Sequence, residues 1–334
     1  MEKGIVIAGN LLVDYVKMID TYPDTGMLCN ISDVSQCVGG CAPNTLIDLA
    51  IIDKDIPLKC IGAVGDDSNG KYLIQMLNKY HIDTKGIKVY KDAVTSFTDV
   101  MTVVDTGERT FFHARGANAI FSDKDIDFDN LSADIFHIGY ALLLDQFDSY
   151  DEEYGTMMAK TLARVQGMGI KTSMDLVSED SDRFAKVVKP SLKYCNYFIS
   201  NEIEAGKTVD MLPRDHEGKI DEKNIEEICK RILDLGVKDL VVIHAPEGGW
   251  AMGEDGKFYS SPSLKLPKGY IKGSVGAGDA FCAGMLYSLY KNFDIEEGLK
   301  IASAAAACNL SHSNSISGMR PLKEVMELYN LYHQ

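Results

Sequence analysis

The sequence predicts an α/β fold: a mainly parallel sheet with helices on both faces, and a small separate β-structure beside it. Three observations carry this expectation. Short β-rich apolar runs alternate with stretches of helical periodicity through most of the chain, the order that builds parallel sheets from crossover units. Two segments, 14–36 and 97–113, look strand-like but have no helix between their strands. Two glycine-rich turns, one near each end of the chain, each open a predicted helix.

Taken in order, the opening Lys3-Gly4-Ile5-Val6-Ile7-Ala8-Gly9 reads as a buried strand over 4–8. It lacks the charged start and long apolar run of a signal peptide. Further buried strands are expected at 58–64, 135–138, 170–174, 197–199 and 240–243, each a short apolar run suited to a sheet covered on both faces. Helices are expected at 44–52, 70–80, 154–168 and 225–235, and again at 280–290 and 301–310. The last contains Ala304-Ala305-Ala306-Ala307, small side chains that suit close helix packing. Within 97–113, Asp105-Thr106-Gly107-Glu108-Arg109 is a good hairpin turn. An antiparallel flap over a cleft excludes water, which group transfer needs. With no repeat and no low-complexity linker, one domain with an inserted lid fits better than two independent domains.

Composition narrows the function. At 334 residues, with 46% hydrophobic and 25% charged, the chain is an ordinary soluble globular protein with material for a large core. A net charge of −15 without any basic block argues against a general nucleic-acid role. No stretch approaches 18 uninterrupted apolar residues, so no membrane span is expected. The eight cysteines are scattered without a CxxC, and Cys37 and Cys41 lack partners for a zinc pattern. Free thiols in a large chain point to a reducing, cytoplasmic setting.

The most informative stretch is Gly273-Ser274-Val275-Gly276-Ala277-Gly278-Asp279-Ala280-Phe281. A glycine-rich turn feeding a helix brings free N–H groups and the helix dipole to one spot, which binds anions. A carboxylate at that junction can take a proton from an attacking hydroxyl while the amides hold a transferring phosphoryl group. A P-loop reading of Gly65-Asp66-Asp67-Ser68-Asn69-Gly70-Lys71-Tyr72 fails at Tyr72, where a hydroxyl must reach magnesium. A dinucleotide-binding reading of Gly276-Ala277-Gly278 fails at Phe281, the third glycine position. The second glycine site, Val38-Gly39-Gly40-Cys41-Ala42-Pro43-Asn44-Thr45, again opens a helix. There an Asn amide can both donate to and accept from sugar hydroxyls.

Two such sites at opposite ends of an α/β chain resemble the ribokinase/PfkB family of carbohydrate kinases. The motifs carrying the resemblance are Gly276-Ala277-Gly278-Asp279, Gly39-Gly40 with Asn44, Gly62-Ala63-Val64-Gly65-Asp66 before Gly70, and Gly116-Ala117-Asn118. It covers nearly the whole chain. It implies a ribokinase-like three-layer sandwich over 1–334, with a lid from about 12–37 and 95–115. It also implies transfer of the γ-phosphate of ATP, with Mg²⁺, to a sugar, nucleoside or related hydroxyl.

Residue by residue, the resemblance makes Asp279 the catalytic base and the amides of Gly276, Ala277, Gly278 and Asp279 its anion hole. Asp14, Gly39, Gly40, Asn44 and Asn118 become the substrate-binding set, with Arg115 beside it. Ser274 and Asn201 fall to the nucleotide side, and Glu204 of Asn201-Glu202-Ile203-Glu204 to magnesium and phosphate. The same spacing is also that of a helix capping box.

The chain departs from the family pattern in places. Gly273-Ser274 replaces the usual Asp-Thr, which puts monovalent-cation activation in doubt. In Asp175-Leu176-Val177-Ser178-Glu179, Asp175 matches the family's Asp-x-Asn-x-Arg but Val177 and Glu179 do not. Leu12 and Cys41 stand where ribokinase has Asn and Lys, so ribose is disfavoured. Gly9-Asn10 and Asn44-Thr45 are similar to adenosine-kinase-like members, which keeps a nucleoside kinase open. A non-catalytic sugar sensor is the reading from another class; retention of Asp279 argues against it. Lid edges could pair across a two-fold into a homodimer.

Overall fold

In the computed structural model, which describes residues 3–178, 181 and 183–333, nine strands form one twisted sheet. Glu179 lies outside the described residues. Across the sheet the order is Phe258–Pro262, Gly248–Gly253, Leu240–Ala245, Tyr197–Asn201, Lys171–Leu176, Ile135–Ala141, Ile5–Gly9, Leu58–Gly65 and Asp83–Tyr90. The seven from Leu240–Ala245 to Asp83–Tyr90 are parallel, and the two at the other end are antiparallel.

All six sequence-expected strands are present. The three missed ones sit at the sheet's ends. Gly248–Gly253 is half glycine by sequence, and Asp83–Tyr90 is an edge strand of mixed exposure. Both lack the unbroken apolar run by which buried strands are read.

Alternation along the central strand shows how the layers arise. Ile5 and Ile7 belong to one apolar core, while Val6 and Ala8 belong to the other, because successive strand side chains point to opposite faces. Helices Cys41–Ile52, Ala277–Tyr290, Ile295–Asn309 and Leu322–Tyr332 cover the first face. Met157–Gly167, Glu202–Val209 and Glu222–Asp234 cover the second. Helix starts differ from expectation by a few residues, and the caps explain it. Gly40 at φ +90° lets the helix begin at Cys41, and Thr156, whose hydroxyl accepts from Ala159 N–H at 3.1 Å, holds the Met157 start. Likewise Ala277–Tyr290 begins before the expected 280, so Asp279 lies inside the first turn.

The remaining β-structure is a four-stranded sheet, ordered Ile31–Gly39, Leu12–Ile19, Ser96–Val103 and Arg109–Ala114. Its middle pair is parallel and its outer pairs antiparallel, so the flap is mixed where a purely antiparallel one was expected. The Asp105–Arg109 hairpin turn forms, with Gly107 at φ +72° and its N–H bonded to Val103 O at 2.8 Å. Among the described residues no helix is long and apolar enough to cross a membrane.

The small-residue packing expected of the C-terminal helices is realised between Ala277–Tyr290 and Ile295–Asn309. A Cβ added at Gly284 would lie 2.7 Å from Ala302 Cα, so the backbones touch there. Gly284→Val is expected to lower stability by about 1–3 kcal/mol through overpacking. Chemical denaturation of the purified variant measures it, and an unchanged midpoint would contradict the close approach.

Candidate active site

Parallel strands all point their carboxyl ends the same way, so the tips of Ile5–Gly9, Ile135–Ala141, Lys171–Leu176, Tyr197–Asn201 and Leu240–Ala245 share one edge. Ligands in such sheets bind beyond that edge. A cleft of about 1030 Å³ lies there, walled by the strand tips, by the Lys272–Asp279 stretch, and by the inner face of the small sheet.

Helix Ala277–Tyr290 aims its N-terminus into this cleft. Gly276 caps it at φ +78°, and no side chain does. A Cβ on Gly276 would lie 2.6 Å from Ser315 Cβ, so both conformation and space demand glycine. Ala277 N–H bonds Ser274 O at 3.3 Å, whereas the N–H groups of Gly278 and Asp279 have no bond among the described residues. Open donors at the positive end of a helix dipole are an arrangement suited to an anion.

Asp279 is 4% exposed. Asn44 Nδ2 donates to its Oδ2 at 2.9 Å, and the Tyr140 hydroxyl lies 3.0 and 3.1 Å from its two oxygens. Burial pushes its carboxyl up from an ordinary 3.8 to about 7; neighbouring Asp175 adds to this, while Asn44 and Tyr140 oppose it. A carboxylate poised near neutrality is a better proton acceptor than a free aspartate.

Behind it lies a buried chain of polar contacts. His137 Nε2 is 3.5 Å from Asp175 Oδ2 and 3.9 Å from Cys282 Sγ, and its Nδ1 pairs with Ser173 Oγ at 2.9 Å.

The lid supplies the opposite wall. Asp14, Val16 and Met18 alternate inward along one strand, and Val100, Thr102, Arg109 and Phe111 along others. Burial raises Asp14 to about 7; a Thr98 hydrogen bond opposes this and Asp279 adds to it. Thr98 Oγ1 also pairs with His113 Nδ1 at 3.0 Å.

On the far side, Asn201 and Glu204 form the capping box that their spacing allowed. Glu204 N–H donates to Asn201 Oδ1 at 2.9 Å, and Asn201 N–H donates to Glu204 Oε2 at 3.1 Å. Ser178 Oγ donates to Glu204 Oε1 at 2.8 Å. Both residues nonetheless line the cleft. Burial pushes Glu204 up to about 7, and both its oxygens are engaged by Ser178 and Asn201.

The structure thus gathers Asp14, Asn201, Glu204, Ser274, Gly276, Gly278 and Asp279 around one cleft. Other sequence candidates stand differently. Asn44 is spent inside the protein, donating to Asp279 while its Oδ1 accepts from Ser315 Oγ at 2.9 Å. Gly39 and Gly40 serve close approach. A Cβ on Gly39 would fall 2.3 Å from Asp14 Oδ2, and one on Gly40 would fall 2.3 Å from Asn10 O. Asn118 is fully buried and its amide brackets the Leu11 backbone, at 3.2 and 3.1 Å, so its side chain is turned away from the cleft. Arg115 pairs with Asp145.

Sequence reasoning missed Tyr140, His113 and His244. The last packs tilted against Phe281, ring centroids 4.9 Å apart, beside Gly278, and burial lowers it to about 4, leaving it neutral. A strand-end polar residue after an apolar run was the available signal for His244; no such signal marked Tyr140.

An anion-binding helix start, a buried carboxylate in its first turn and a covering lid are the parts a phosphotransferase acting on a small hydroxylated substrate requires. Comparison with known proteins carries this to a family: the pattern described as "pfkB family carbohydrate kinase" matches residues 4–321, and the chain belongs to that family. It is an enzyme of the sugar-phosphorylating class. A 5-dehydro-2-deoxygluconokinase of Clostridium beijerinckii is 27% identical, covering 97% of this chain and 92% of its own. Among solved structures, ribokinase of Arabidopsis thaliana complexed with ribose and ATP superposes with a TM-score of 0.80 at 21% identity, covering 98% and 99% of the two chains. A putative ribokinase II of E. coli in complex with ATP and Mg²⁺ gives 0.77 at 18% identity, covering 99% and 100%. The fold expected from the sequence is therefore the one observed.

Asp48 offers a stability test of this acidic setting. It lies one turn beyond Asn44, fully buried, with neither oxygen partnered in the protein. Burial, then Asp279, raises its carboxyl well above 3.8. The folded value exceeds the unfolded one, so its contribution is whole below about pH 4 and is lost as pH rises toward the folded value. Asp48→Asn cannot ionise, and its melting temperature relative to wild type is expected to climb steadily between about pH 5 and 8. A gap independent of pH would contradict the burial account.

Proposed function

We propose that the chain transfers the γ-phosphoryl group of ATP to a hydroxyl of a small sugar, working as one domain under its lid. The observation that carries this reading is Asp279, buried in the first turn of a helix where the N–H groups of Gly278 and of Asp279 itself have no bond among the described residues. In the proposed complex, the acceptor sits between Asp14 and the lid's inner face, with its reactive hydroxyl against Asp279. The triphosphate lies along Gly276–Gly278, held by backbone N–H groups and the helix dipole. Mg²⁺ would spread the phosphate charge, its waters held by Glu204 and Asn201. Asp279 accepts the hydroxyl proton as the phosphoryl group passes in line, and lid closure keeps water from competing.

The name of the clostridial relative makes a keto sugar acid the first substrate to test. Arg109 and Lys272, the Lys and Arg residues among the described residues lining the cleft, support an anionic ligand there. Exposed Val34, Phe111 and Phe112 on the lid's two edge strands support pairing of two copies through it.

ADP release from Mg·ATP would be measured with 5-dehydro-2-deoxygluconate, 2-keto-3-deoxygluconate, fructose, ribose and adenosine. Asp279→Asn is expected to lower turnover roughly 10²–10⁴-fold while the protein still folds. Near-normal turnover would remove Asp279 as the base. Turnover with adenosine alone would replace the sugar by a nucleoside, and ligand-induced stabilisation without any turnover would indicate a sensor. With Asp279 and Asp14 both near 7, kcat/KM is expected to fall as pH drops below about 7, where the base carries a proton. A flat profile down to about pH 5 would contradict these raised values.

A further inference from the structure

Tyr140 occupies a backbone conformation that bulky residues seldom adopt. Its φ is +61°, and Leu142 follows at +83°, both in the region favoured by glycine. Such a segment persists only where its surroundings over-determine it. Here two buried carboxylates grip it: Tyr140 N–H donates to Asp175 Oδ1 at 2.7 Å, and Leu142 N–H donates to Asp148 Oδ1 at 3.0 Å. Asp148 is in turn paired with Arg183 at 3.1 Å, and Asp175 is backed by His137. The consequence of the unusual turn is the placement of one hydroxyl, on the cleft wall and within 3.0 and 3.1 Å of the two oxygens of Asp279.

We propose that Tyr140 is the positioning residue of the base: its hydroxyl fixes the Asp279 carboxylate in orientation and favours its ionised form, leaving a lone pair for the acceptor hydroxyl. This rests on the reading of Asp279 as the base. A phenol donates a stronger hydrogen bond to a charged carboxylate than to a protonated carboxyl, so its bond favours the ionised form.

Other groups act on the same carboxyl. Asn44 donates to it from helix Cys41–Ile52. His137 and Asp175 face it from the sheet, Asp14 from the lid and Asp48 from below, and the thiols of Cys41 and Cys282 lie close. Tyr140 opposes the burial and the acidic neighbours that raise the Asp279 carboxyl. Removing it must therefore shift the base toward its protonated form.

The test is the pH profile of kcat/KM in the whole enzyme. Tyr140→Phe is expected to move the acid limb up by about one pH unit, the effect of one hydrogen bond to a charged group. The acceptor KM should change less than about threefold. Site-specific 3-fluorotyrosine at position 140, a stronger donor of nearly the same shape, is expected to move the limb the other way. It also serves if the Phe variant does not fold. In an Asp279→Asn background, Tyr140→Phe should cost little further activity, because the group it acts through is gone. An unmoved limb in both variants, or an equal loss in either background, overturns the proposal. Full turnover by Asp279→Asn alone would instead overturn the base reading, so the two failures are told apart.

Discussion

The site is built around one buried carboxyl. Asp279 enters on helix Ala277–Tyr290, whose N-terminus is pressed against the sheet edge through Gly276 and Ser315. Ser315 reaches back to Val38 O at 3.0 Å and to Asn44, tying the C-terminal loop to the end of a lid strand and the start of helix Cys41–Ile52. Asn44 closes the circuit by donating to Asp279. Residues more than two hundred positions apart in sequence are thus fixed within hydrogen-bond distance. Leaving a buried acceptor unmatched is costly, and Asn44 and Tyr140 both approach the Asp279 oxygens to within hydrogen-bond distance.

That arrangement alters what the second glycine site means. Gly39 and Gly40 leave room where a lid strand passes over Asp14 and the Asn10 carbonyl. They bring Asp14 under the lid beside the strand tip, and they allow the helix carrying Asn44 to start at Cys41. Their contribution to binding runs through the residues they place. Asn118 acts in a similar way, holding Leu11 and hence the turn between the first strand and the lid. Motif position cannot distinguish a side chain aimed at a ligand from one aimed at a neighbouring backbone.

The legible part of this protein was the part governed by local rules. The six expected strands were read from apolar runs, the hairpin from Asp105–Arg109, and the helix start at the cleft from glycines before an Asp. Three kinds of feature escaped. Edge strands such as Phe258–Pro262 pair by backbone and need no apolar signature. Cap positions moved helix starts by up to six residues, at Ile295–Asn309, and by three at Ala277–Tyr290, which placed Asp279 inside a helix instead of before it. Tyr140 was invisible because its role depends on a left-handed backbone stabilised by Asp175, thirty-five positions later. Nothing in the string Ile138-Gly139-Tyr140-Ala141-Leu142 announces a positive φ at an aromatic residue.

The electrostatics then raise a problem that the proposed chemistry has to solve. A chain of net charge −15 lines its cleft with Asp14, Asp33, Asp175, Glu204 and Asp279, yet the proposed donor is a polyanion. Three of these carboxyls, Asp14, Glu204 and Asp279, are raised to about 7 mainly by burial, so near neutrality the empty cleft holds protons in place of full negative charge. In the proposed complex phosphate would meet backbone N–H groups at the Gly276–Gly278 turn, where the attraction comes from fixed dipoles that need no counter-charge. In the proposed complex a divalent cation near Glu204 would favour its ionised form, and Asp279 would have to lose its proton to serve as the proposed base. The same burial that makes the carboxyls reluctant to ionise therefore couples their charge to occupancy. On this account the acidic lining is compatible with anion binding because its charge is fully developed only when the cation and the donors around Asp279 are there to balance it.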